Sequence, residues 1–204
     1  MKNHTVKSNI GHAASAAAAV TLALFATGCI VTSVYPYYTE KDLVFEPALL
    51  GDWVGEKEAD QKPAEFMSVE RLGDMGYRAT AFGSDQTNSV ICHLFRLKKQ
   101  LFLDTCPTNH SLELIPVHQV SKVTMLQTTI ETANLKYKWL EELVKQHPKT
   151  IRHARVRDEE SQMGNEKDLR IVLTASTAEL QKFILKHLNN TNAWDEPSRS
   201  KRRR

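Results

Sequence analysis

Long apolar runs are scarce in this sequence. Beyond the first 28 residues, none reaches the roughly 18–20 residues that a membrane-spanning helix needs, which excludes a polytopic helical membrane protein. Cysteine is scarce as well. The three present, Cys29, Cys92 and Cys106, lack paired CxxC spacing, which excludes a disulfide-built scaffold and a finger-type structural zinc site. The eight glycines form no phosphate-cradling loop, and no serine sits in a G-x-S-x-G elbow. None of the eight histidines falls in HExxH or another ligand spacing, so no cofactor or metal is expected. What remains, 41% hydrophobic and 25% charged residues, is the composition of a soluble globular domain.

The N-terminus carries the clearest signal. Lys2 and Lys7 precede an alanine-rich, almost uncharged stretch over 13–27, too short and too weakly apolar to stay in a bilayer as a span. Residues 1–28 are therefore predicted to be a signal peptide. Ala26-Thr27-Gly28-Cys29 resembles the lipobox of bacterial lipoproteins, with alanine in place of the commoner leucine three residues before the cysteine. That resemblance implies cleavage by signal peptidase II before Cys29, and acyl chains on its thiol and its new amino group. The alternative is a secreted protein cut nearby, with Cys29 left as a thiol. Ile30 is not the aspartate that retains enteric lipoproteins in the inner membrane, so the expected location is the periplasmic face of the outer membrane.

Charge is unevenly placed. The formal net charge is +3, but two positives leave with the signal peptide and five more, Arg199, Lys201, Arg202, Arg203 and Arg204, crowd the C-terminus. The body between is mildly acidic, which argues against a nucleic-acid-binding face. Residues 191–204 are expected to be a disordered basic tail, either simply solubilising or touching anionic lipid or cell-wall polymer. Residues 29–48, with Tyr35-Pro36-Tyr37-Tyr38, are expected to tether the domain to its anchor.

A single domain is expected over 49–190. Short segments rich in β-branched and aromatic residues, separated by turn residues, predict antiparallel strands at 52–57, 65–71, 77–82, 89–97, 101–105, 112–117, 120–126 and 128–132. Asn134 is read as the cap of a helix running to 146, with Trp139, Leu140, Leu143 and Val144 on one face. A polar loop to 167 leads to a strand at 169–174. Ser176-Thr177-Ala178-Glu179 then has the form of a capping box for a helix at 177–188. The fold class is thus β-rich α+β: an antiparallel meander curled into a small barrel, open or closed, with covering helices.

Gly51-Asp52-Trp53 resembles the G-x-W signature of lipocalin-like barrels, in which the tryptophan closes the floor. The wider run resembles uncharacterised envelope lipoproteins of Gram-negative bacteria, in Tyr35-Pro36-Tyr37-Tyr38-Thr39, in His93-Leu94-Phe95-Arg96-Leu97 before Leu101-Phe102-Leu103-Asp104, and in Ile171-Val172-Leu173-Thr174-Ala175-Ser176 before Glu179-Leu180-Gln181-Lys182-Phe183. It covers most of the chain after Cys29 and implies no activity. Trp53 and Trp139 are structural residues in this reading.

Cys92 and Cys106 flank Lys98-Lys99-Gln100. A hairpin pairing Leu97 with Leu101 would pair the two cysteines, and a cross-strand disulfide follows if they occupy a suitable site; a slip of one residue sends them to opposite faces. Two buried thiols, or a redox pair, are the alternatives. His93 and Asp104 are neighbours in the same hairpin, close enough to hydrogen-bond. The functional expectation is a non-enzymatic, lipid-anchored binding module whose partners are the membrane and an envelope protein. The alternatives are a carrier of a small apolar ligand or lipid, and an envelope hydrolase whose polar groups meet only in three dimensions.

Overall fold

A computed structural model describes residues 30–56, 66–82, 87–108, 117–157 and 169–203. The signal peptide and Cys29, the expected strand at 112–117 apart from Val117, and the loop at 158–168 lie outside them.

Eight antiparallel strands close into a barrel: β2 (Gly51–Gly55), β3 (Phe66–Leu72), β4 (Gly76–Phe82), β5 (Thr87–Leu97), β6 (Gln100–Pro107), β7 (Gln119–Met125), β8 (Thr129–Asn134) and β11 (Ser198–Arg202). The first seven form an up-and-down meander, and β11 returns to lie between β8 and β2. The barrel is closed, so no strand edge of the meander is left open. Before the return the chain makes helix α1 (Tyr137–Gln146), strands β9 (His153–Arg157) and β10 (Leu169–Leu173), and helix α2 (Thr177–Lys186). With β1 (Thr32–Ser33), β10 and β9 form a second, three-stranded sheet in which β1 is parallel to β10.

Side-chain alternation explains the two cores. Inward positions such as Trp53, Met67, Val69, Tyr77, Leu94 and Leu103 make one buried cluster inside the barrel. Outward positions on β5 to β8, among them Phe95, Phe102 and Ala133, pack beneath α1, α2 and the small sheet with Leu140, Leu173, Leu180 and Trp194. Helix α2 starts at the capping box read from the sequence, with Ser176 and Glu179 bonded reciprocally. Trp139, half-buried on α1, meets Phe183 and His187, at centroid distances of 5.9 and 4.8 Å, and so joins the two helices.

Four expectations are corrected. Residues 198–202 are not a disordered tail but the strand that closes the barrel. Arg199 pairs with Glu131 and Lys201 with Glu56 on the outside. Inside, Arg202 lies opposite Trp53. Residues 30–48 are not a free tether: Val31 and Tyr37 are fully buried, and β1 is hydrogen-bonded into the second sheet. Asn134 does not cap α1. It ends β8, where its side chain accepts from the Ser121 hydroxyl at 2.6 Å, and the helix begins three residues later behind Lys136. Finally, Leu97 pairs with Gln100 rather than Leu101, because Lys98 adopts φ 55° and makes a two-residue turn. That one-residue slip turns every side chain of one strand over relative to the other.

Candidate functional site

The slip decides the fate of the cysteines. Cys92 lies opposite Thr105 and points into the barrel, while Cys106 lies opposite Ile91 on the outside. Both are thiols rather than a disulfide. Burial pushes the Cys92 thiol well above its ordinary pKa, and burial followed by the Asp104 charge pushes Cys106 up as well. Neither is an activated nucleophile, which requires the opposite shift.

On the outer face of β5 and β6 the slip also puts His93 directly opposite Asp104 and Phe95 opposite Phe102, with rings stacked at 5.4 Å. The segment 34–46 runs over this patch. Asp104, whose side chain is 1% exposed, accepts from the Tyr37 backbone N–H at 2.9 Å through Oδ2, and Oδ1 lies 2.7 Å from His118 Nδ1. A carboxylate oxygen accepts in this contact and the imidazole Nδ1–H donates. His118 is held from its backbone too, exchanging two 2.8 Å hydrogen bonds with Ser33 of β1. His93 Nδ1 lies 3.1 Å from the Tyr38 hydroxyl, and their rings pack at 4.7 Å.

The hydrogen bond considered between His93 and Asp104 is thus replaced by three: His93 goes to Tyr38, and Asp104 to His118 and Tyr37. Sequence reasoning missed His118, Tyr37 and Tyr38 because they come from segments far from the hairpin. Burial holds His93 below the ordinary histidine pKa, against the pull of Asp104. Burial, then the Asp104 charge and the neighbouring Cys106, push the Tyr38 phenol up to about 12. Tyr37 is raised further by the first two of these. A carboxylate orienting an imidazole is part of a nucleophilic triad, but here the nearby phenols and the thiol are stabilised in their protonated forms. Chemically the arrangement serves as a fastening: a buried charge that takes a backbone amide and an imidazole from two other segments. Among the described residues no group of three or more His, Cys, Asp and Glu is placed to hold a metal ion.

The same segment then closes one end of the barrel. Strand β4 begins at Gly76, opposite His93, and beyond that point Leu43 and Val44 take up the edge of β5, with Val44 donating to Leu94 at 2.9 Å. Phe45 stacks on Tyr77 at 5.2 Å, and the Tyr77 hydroxyl accepts from the Glu46 N–H at 2.6 Å. Leu49 follows into the interior, where its carbonyl accepts from Trp53 Nε1 at 2.9 Å. Arg202 completes the stopper. Its guanidinium lies 4.7 Å from the Trp53 ring centroid and donates to the carbonyls of Ala48 and Leu50, each at 2.8 Å. Gly51 has to be glycine here. It sits at φ 113°, and a Cβ would come within 2.6 Å of Arg202 Nη1.

No helix among the described residues is long and apolar enough to cross a membrane. A scan against protein-family models, a search of curated proteins and a search of solved structures each find no match to this chain.

Proposed function

We propose that this protein is a lipid-anchored, periplasm-facing module of the bacterial envelope, a lipocalin-like barrel that acts by binding a partner protein rather than by catalysis. The observation that carries this reading is the join between anchor and fold. Ile30, the residue after the lipobox cysteine, is already buried and bridged to Lys136, so the folded domain starts where the signal sequence is expected to be cut. A sequence cut within 33–36 would lose part of the second sheet.

Two further features favour binding over chemistry. The Asp104 cluster is consumed in fastening the 34–46 segment, with its thiol and phenols held protonated. The interior is occupied by Trp53, Tyr77, Leu94 and their neighbours in one buried cluster, which supports recognition at the outer surface rather than carriage inside. The test is metabolic labelling with an alkyne palmitate in a Gram-negative host, with membrane flotation, on the wild type and Cys29→Ser. Label and flotation that both vanish in the variant are expected. An unlabelled protein recovered in the soluble periplasmic fraction would overturn the proposal.

A further inference from the structure

We infer that the acylated protein has no slack: it docks its barrel directly on the bilayer surface, through the face that Lys136 and Lys122 present over the buried Ile30 and Trp194. This rests on the lipid-anchor reading and adds an orientation to it. A flexible tether over 29–48 would let the domain stand off by about 25 Å, taking 5–6 Å per square root of the residue number. The structure removes that freedom. Ile30 is bridged to Lys136, Val31 is fully buried, and β1 is paired on one side to β10 and bridged on the other to His118. Cys29 is one peptide step, about 3.8 Å between Cα atoms, from a residue that cannot move independently of the fold. Acyl chains on its thiol and amino group would therefore draw this part of the domain into contact with headgroups.

The surface at that point is identifiable. Lys136 N–H donates to Ala193 at 2.8 Å, Leu135 bridges Trp194, and Lys122 Nζ sits 4.7 Å from the Trp194 ring centroid. Two lysines beside the exit of the anchor suit an anionic surface. Asp195, next to Lys136, has its carboxyl pushed up by burial against the opposing pull of that lysine. Strand β4 is four strands away from β8 around the barrel and so carries Arg78 on the opposite wall. That wall faces the periplasm in this orientation.

The experiment compares the full acylated protein with a variant carrying a Gly-Ser spacer of about 15 residues, inserted between Cys29 and Ile30, both in phosphatidylethanolamine–phosphatidylglycerol vesicles. The readout is hydrogen exchange. The first-turn amides of α1, Tyr137 to Trp139, lack intrahelical partners and so report on solvent access beside Lys136. Exchange there and at Asn192 is expected to be roughly tenfold slower in the wild type than in the spacer variant, with the amide of Arg78 unchanged between them. If both proteins float with the vesicles and exchange alike at these amides, the docked orientation is wrong although the anchor stands. If neither floats, the anchor reading itself has failed and the docking falls with it.

Discussion

Replacing Arg202 with alanine asks how much one side chain contributes to closing the barrel. Arg202 comes from the strand that completes the sheet, and its side chain reaches back over the barrel end to bond two carbonyls on the incoming chain. Two hydrogen bonds at about 0.5–1.5 kcal/mol each, and a cation–π contact with Trp53 at about 0.5–1 kcal/mol, bracket the loss between roughly 1.5 and 4 kcal/mol. The guanidinium is exposed, which favours the low end, about 2 kcal/mol. For a domain of this size that corresponds to a fall in Tm of roughly 4–8 °C. Thermal unfolding followed by tryptophan fluorescence and circular dichroism measures it. Arg202→Lys should recover little, since an ammonium cannot reproduce the fork that reaches both carbonyls while lying over the ring. Arg199→Ala, which removes only an exposed ion pair with Glu131, is the control and should cost under about 1 kcal/mol. If Arg202→Ala costs no more than Arg199→Ala, Arg202 is an ordinary surface residue and the stopper argument is wrong.

Asp104→Ala leaves the Tyr37 amide and the His118 imidazole without their acceptor in a buried place, and should cost about 2–4 kcal/mol in urea unfolding, with faster exchange of the Tyr37 amide as the local signature. Tyr37→Phe should go the other way, neutral or stabilising by up to about 1 kcal/mol, because its buried hydroxyl has no hydrogen-bond partner among the described residues; a loss above that range would reveal a partner. Intact mass after denaturing alkylation should show both Cys92 and Cys106 modified with no prior reductant, and under native conditions Cys92 should react only as fast as the protein opens. The Glu179 carboxyl, lowered to about 2 by hydrogen bonds from the Ser176 side chain and then Arg152, binds protons more weakly folded than unfolded. Its contribution to the start of α2 is therefore complete above its ordinary pKa of 4.5 and lost as the pH falls from there towards 2. An NMR titration of the Ser176 amide that turned over near 4.5 instead would show the cap to be absent.

The meander was legible wherever local chemistry and burial agree. Strands β3 and β4 alternate cleanly around Gly73 and Gly76, and Gly73 takes the positive φ, 62°, that the turn requires. The capping box of α2 was equally readable. The failures have a common physical form, in which tertiary pairing overrides a local signal. Lys98 adopts a left-handed conformation that lysine seldom takes, so nothing in the sequence marked the two-residue turn. Strand β11 puts Ser200 and Arg202 at its inward positions and so shows no apolar alternation; it is a strand because β2 and β8 leave a gap that only it fills. Asn134 has the composition of a cap and the neighbours of a strand. At the site, Asp104 and His93 could be paired from the hairpin alone, whereas Tyr37, Tyr38 and His118 reach them only through folding of the whole chain.

The seam between β2 and β11 brings together residues from opposite ends of the sequence, Trp53 and Arg202 among them. During synthesis the first barrel strand therefore waits, with its tryptophan unsheltered, until the basic closing strand has been made. Contacts of such long range form slowly and late. A chain built this way stays open while it is being made. Arg202 acts as the latch that ends that state.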